Sequence, residues 1–164
     1  MVSAGIASQY AAKIGVRVVA GVGMVITAAG LVWLTQIPVH GSYPVDVLVP
    51  MLLTSFGMGL VFVVLTMVAT TGLADADQGL ASGLFNTSQQ IGGALGLAIL
   101  ATLAANRSTG ATQKAALVHG FHWAFAGGAV FVAAALVALV VLLRRQHVEG
   151  IEAAAGEPAT ALGV

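Results

Sequence analysis

The sequence predicts an all-α fold, an integral membrane bundle of four transmembrane helices. Three observations carry this. The chain of 164 residues is 59% hydrophobic and only 7% charged, against about 25% charged in soluble domains. Its mean hydropathy is +0.99. Four runs of membrane-spanning length contain no Asp, Glu, Lys or Arg in their interiors, at 18–37, 47–71, 80–105 and 121–143. Lipid is the solvent in which such a composition is stable.

A membrane helix needs about 20 apolar residues at about 1.5 Å rise each. The run 18–37 fits that length and ends ahead of the turn-rich segment PVHGSYPVD, 38–46. The second run, 47–71, is slightly long and can tilt. The segment GLADADQG, 72–79, reads as an acidic hairpin loop, with Asp75 and Asp77 solvated. The third run, 80–105, leads into the Ser/Thr-rich connection NRSTGATQK, 106–114. The fourth, 121–143, is almost wholly Ala, Val, Leu and Phe and stops at Arg144-Arg145. Residues 144–164 read as a disordered tail of small and acidic residues. Residues 1–17 read as the end of a truncated preceding helix plus a loop, so Met1 is expected to be internal to a longer protein or a misplaced start. No basic region opens the chain as in a signal peptide.

Orientation follows from the cations. With four spans both ends share one side. Lys13, Arg17, Arg144 and Arg145 lie there, and Arg107 and Lys114 lie opposite. This bias predicts both ends in the cytoplasm and puts Trp33, Tyr43 and Trp123 near the outer face, as interfacial anchors.

The third run carries the chemistry. Ser82, Asn86 and Gln90 share one helical face with Gly93, and Gln89 sits at its edge. Hydrocarbon offers an amide no partner, and a buried unmet polar group costs several kcal/mol. That face must therefore meet protein or a water-filled pathway. Two readings stay open: interhelical glue worth about 1 kcal/mol, or lining of a substrate pathway. Gly92 and Gly96 form a G-x-x-x-G pair, as do Gly79 and Gly83, a spacing that lets helix backbones approach closely.

Other classes of function find no support. Zero net charge and scattered basic pairs give no nucleic-acid footprint, and the absence of cysteine removes disulfides and thiolate chemistry. No phosphate loop, catalytic triad or zinc spacing occurs, so no enzyme, catalytic residue, metal site or bound cofactor is expected. His119 and His122 stand at i, i+3 without a third ligand nearby, and packing beside Trp123 is the expectation for them.

The stretch GLASGLFNTSQQIGGALGLAILATLA, 79–104, preceded by MGLVFVVLTMVATTGLADADQ, 58–78, resembles the late part of a major facilitator superfamily transporter, in the fourteen-span multidrug efflux branch. The family pattern G-L-A-S-G-L-x-N-T-x-R-Q-x-G-G-A-L-G is matched at Gly79, Ser82, Gly83, Asn86, Gln90, Gly92, Gly93 and Gly96 among others, with Gln89 where the arginine stands. GIASQYAAKIGVRV, 5–18, resembles the family's cytoplasmic loop motif through Gly5, Gly15 and Arg17, without its acidic member.

The resemblance implies the last four spans of a multi-pass plasma-membrane exporter, a drug:proton antiporter. In it the second and third spans flank the central cavity, and the first and fourth are peripheral. It also implies partners: the lipid bilayer, the missing N-terminal region and a small-molecule substrate. A proton gradient would drive the full-length transporter. No charge-changing group lies inside a span here, so the piece alone is expected to be inactive. The alternative is a small four-helix membrane protein that acts by assembly without transport of its own.

Overall fold

The computed structural model describes residues 15–70, 75–110 and 112–142. Gly5, Lys13, Arg144, Arg145, the first part of the expected hairpin loop 72–79 and the expected tail 144–164 lie outside them. Four helices order the described chain: α1, Val16–Leu34; α2, Val49–Thr70, entered through a π-turn at Pro44–Leu48; α3, Asp75–Asn106; and α4, Gln113–Leu142. No strand occurs among the described residues. Each helix is long and apolar enough to cross a membrane.

The helices form a row of neighbours, α2–α1–α4–α3, whose ends α2 and α3 touch only lightly. The core is Val16, Val19, Ala20 and Met24 of α1 with Leu60 and Val64 of α2 and Leu139 of α4. So α1, expected at the periphery of a larger fold, is the most buried helix within this unit, while no residue in the span window of α3 is buried. The seam between α1 and α2 is made of small residues. Gly23, Thr27 and Gly30 face Pro50, Thr54 and Gly57, both at i, i+4, i+7. A Cβ on Gly57 would lie 2.5 Å from the Gly23 carbonyl oxygen, and one on Gly23 2.8 Å from that of Gly57. Thr27 keeps its buried hydroxyl satisfied by donating to Gly23 O at 2.8 Å, and Thr54 donates to Pro50 O at 2.8 Å.

The helix ends depart from the apolar runs for identifiable reasons. α1 stops at Leu34, three residues short of the expected 37. Thr35 N–H reaches Leu31 and Val32 carbonyls and Thr35 Oγ1 donates to Val32 O at 2.6 Å, closing the last turn ahead of Pro38. The second helix opens at Pro44, where a proline's missing N–H is harmless. Pro50 cannot donate to the carbonyl four residues back and its ring crowds it. The turn before it widens, so that Val49 N–H reaches Pro44 O. The described part of α3 opens at Asp75, inside the segment expected to be a hairpin loop. α4 begins at Gln113, eight residues before the apolar run, because Thr112 Oγ1 accepts from Ala115 N–H at 3.2 Å as an N-cap.

Both bundle ends are laced by hydrogen bonds. At one, Arg17 Nη2 donates to Val140 O at 2.9 Å, joining the first turn of α1 to the last described turn of α4. Gly15 precedes it as N-cap with φ 93°, a conformation that strains any side chain. At the other, His122 Nε2–H donates to Ile37 O at 2.8 Å and His119 Nδ1–H to Arg107 O at 2.7 Å. A carbonyl can only accept, which fixes the tautomer of each imidazole. The two histidines thus serve different loops, and no group of three potential metal ligands occurs among the described residues. Trp33 and Trp123 mark this second end, with the Arg107 guanidinium 4.4 Å from the Trp123 ring centroid.

Candidate functional site

The light contact between α2 and α3 leaves a cleft of about 160 Å³ at the seam, in the half of the bundle nearer Arg17. Phe62, Thr66 and Ala69 come from α2, and Ser82, Phe85 and Asn86 from α3. These sets follow from helical spacing: 62, 66 and 69 are one face of α2, and 82, 85 and 86 one face of α3. The rings of Phe62 and Phe85 meet edge to face, centroids 6.4 Å apart at 62°, an arrangement the aromatic quadrupole favours by about 0.5–1.5 kcal/mol.

Two members of the polar stripe therefore meet in one place. Ser82 and Asn86 line the cleft beside a phenyl pair, while Gln89 and Gln90, one turn further along α3, are exposed and do not line it. Thr66 donates its hydroxyl to Phe62 O at 2.9 Å. None of the described residues lining the cleft is ionisable; they give it aromatic walls, one amide and hydroxyls.

The glycines divide. A Cβ on Gly79, Gly83, Gly92, Gly93 or Gly96 would meet nothing within 4 Å, so the expected close packing of these five finds no neighbour among the described residues. Packing glycines lie elsewhere, in the α1–α2 seam and on α4, where a Cβ on Gly120 would sit 2.6 Å from Ala104 O and one on Gly127 2.8 Å from Leu100 Cδ2. The aromatic pair and the small-residue seam escaped the sequence reading. The seam had a signal in its i, i+4, i+7 spacing on both helices. The aromatics had none, being apolar residues in apolar helices. Of the loop motif, Gly15 and Arg17 stand at the start of α1 in the roles given above.

Comparison with known proteins bears on the whole chain. The Major Facilitator Superfamily profile matches residues 1–163. The cephamycin export protein CmcT of Amycolatopsis lactamdurans is 39% identical over 126 residues, 77% of this chain and 26% of that protein. The chain thus spans about a quarter of the length of the curated relative it matches. No solved structure matches.

Proposed function

The chain belongs to the major facilitator superfamily, and from that premise we propose that it forms part of a plasma-membrane exporter, with both of its ends on the cytoplasmic side. Its cargo in this reading is a drug or small metabolite, its drive the proton gradient, and its branch the fourteen-span multidrug group. The export direction is supported by likeness to a protein named for cephamycin export. The group that changes charge during coupling is assigned to parts of the transporter beyond this chain, which is inactive alone.

One observation carries the pathway reading. Ser82, Asn86 and Gln90 lie exposed along α3, the helix whose span is least covered by the others. In a membrane, such a face is costly against lipid and favourable against water or a polar solute. Asn86 and Gln90 are accordingly placed on the translocation pathway, with Ser82 beside them. Gln89, at the edge, is assigned to a bond with a neighbouring helix. Gly92 and Gly96 are assigned to close packing against a helix outside this chain.

The test is substitution in the complete transporter. Asn86→Ala and Gln90→Ala should change the range of compounds exported while leaving the amount of membrane protein nearly intact. Resistance assays over several compounds, normalised to that amount, read the difference. Loss of protein with an unaltered range would identify the amides as glue between helices and refute the pathway assignment.

A further inference from the structure

We propose that the cleft between α2 and α3 is a subsite for one uncharged, ring-sized group that carries an amide or carbonyl edge. The proposal rests on the export reading for its biological meaning and names the chemistry of the cargo at that point. Size sets the first limit. A cavity of about 150 Å³ lined by apolar side chains holds one benzene molecule, so about 160 Å³ takes a single ring or a branched chain of similar bulk, and not a whole drug-sized molecule. Charge sets the second. None of the six described lining residues is ionisable, and a charged group brought against them would lose hydration without gaining a counter-ion from them.

The walls set the rest. Phe62 and Phe85, held at 62° to one another, both line the cleft, and an aromatic group that enters can meet a phenyl ring edge to face or offset-stacked, the two geometries in which such groups attract. Asn86 offers one acceptor oxygen and two N–H donors, which an amide can match on both sides. Ser82, one turn before it on the same face, adds a hydroxyl. An apolar ring alone would fill the volume but offer the Asn86 amide no partner in place of the water it displaces. The cleft should therefore prefer a ring bearing a carboxamide over a bare ring, and both over the same ring bearing a carboxylate.

Benzamide, toluene and benzoate are the three probes, tested by ligand-observed NMR against the complete chain in detergent, with empty micelles as the partition control. Benzamide should bind saturably, and benzoate at least about tenfold more weakly. Asn86→Leu should weaken benzamide about five- to tenfold with little change for toluene. Ala69→Phe should fill the cleft and remove binding of both. Ser82→Ala is the milder second variant, and circular dichroism with thermal unfolding reports whether each variant is folded. Thr102→Val, on α3 away from the cleft, should bind as the parent does. Equal affinity for benzoate, no saturable benzamide binding, or benzamide binding untouched by a folded Ala69→Phe would overturn the subsite. If benzamide binds as stated and Asn86→Ala leaves export unchanged, the assignment of Asn86 to the export pathway falls and the subsite stands. If benzamide does not bind and Asn86→Ala alters export, the reverse holds.

Discussion

Arg17 and Val140, 123 positions apart in the chain, are joined by a 2.9 Å hydrogen bond from guanidinium to carbonyl. The carbonyl belongs to the last described turn of α4, toward the end of the helix where the dipole is negative. A cation is the best partner available there, and Arg17 reaches it from the first turn of the antiparallel α1.

Loss of that side chain should be measurable. Arg17→Ala is expected to lower unfolding free energy by about 1 kcal/mol. Arg17→Lys should recover part of it, because the charge survives and the reach of the planar fork does not. Thermal or denaturant unfolding in detergent reads both, and an unchanged midpoint for Arg17→Ala would show the bond to be dispensable.

The glycines should separate into two classes. Gly57→Ala forces its new methyl against the Gly23 carbonyl and the Thr27 backbone, so it should destabilise the chain by about 1–3 kcal/mol. Gly92→Leu and Gly96→Leu meet open space in this chain and should leave its unfolding within about 0.5 kcal/mol of the parent. The same two substitutions in the complete transporter should reduce folded yield, if those glycines pack as proposed on a helix supplied elsewhere. Equal effects in both settings would refute that assignment.

Thr112 is expected to behave as a helix cap. Thr112→Ala removes the acceptor of Ala115 N–H and should cost about 1 kcal/mol, while Thr112→Asp should be close to neutral. Hydrogen exchange at Ala115 and Ala116 reads the local fraying, and protection unchanged by Thr112→Ala would count against the cap.

The proposed topology is testable by labelling. In cells, a cysteine at Thr109 should react with a membrane-impermeant thiol reagent, and one at Asp77 only after the membrane is opened. The natural absence of cysteine makes the background clean. The opposite pattern would invert the orientation.

Fold class was legible because four charge-free runs leave a lipid-embedded backbone only the helix to satisfy its own hydrogen bonds. Helix ends were less so. Hydropathy measures the apolar slab, whereas Thr112 and Pro50 set where the backbone begins to coil and where it widens. Ser82 and Asn86 could be read as site candidates because an amide in an apolar run stands out against its neighbours. Phe62 and Phe85 could not, since their role comes from meeting across a seam that no single helix encodes. The spacing of Gly23, Thr27 and Gly30 was legible only once α2 supplied Pro50, Thr54 and Gly57 opposite, because close approach is a property of two helices and not of one.

Thr27, Thr54, Thr87 and Thr102 each commit their hydroxyl to a carbonyl one turn back on the same helix. A polar group committed in this way meets its demand without gripping a neighbour. The cross-helix hydrogen bonds of Arg17 and His122, by contrast, sit at opposite ends of the α1–α4 pair. These two cross-helix bonds stitch the α1–α4 pair at its two hems. Sliding or rocking of one rod past another would break few of the described directional bonds between helices and would be resisted mainly by the interlock of shape along the seam of Gly23, Thr27 and Gly30 with Pro50, Thr54 and Gly57.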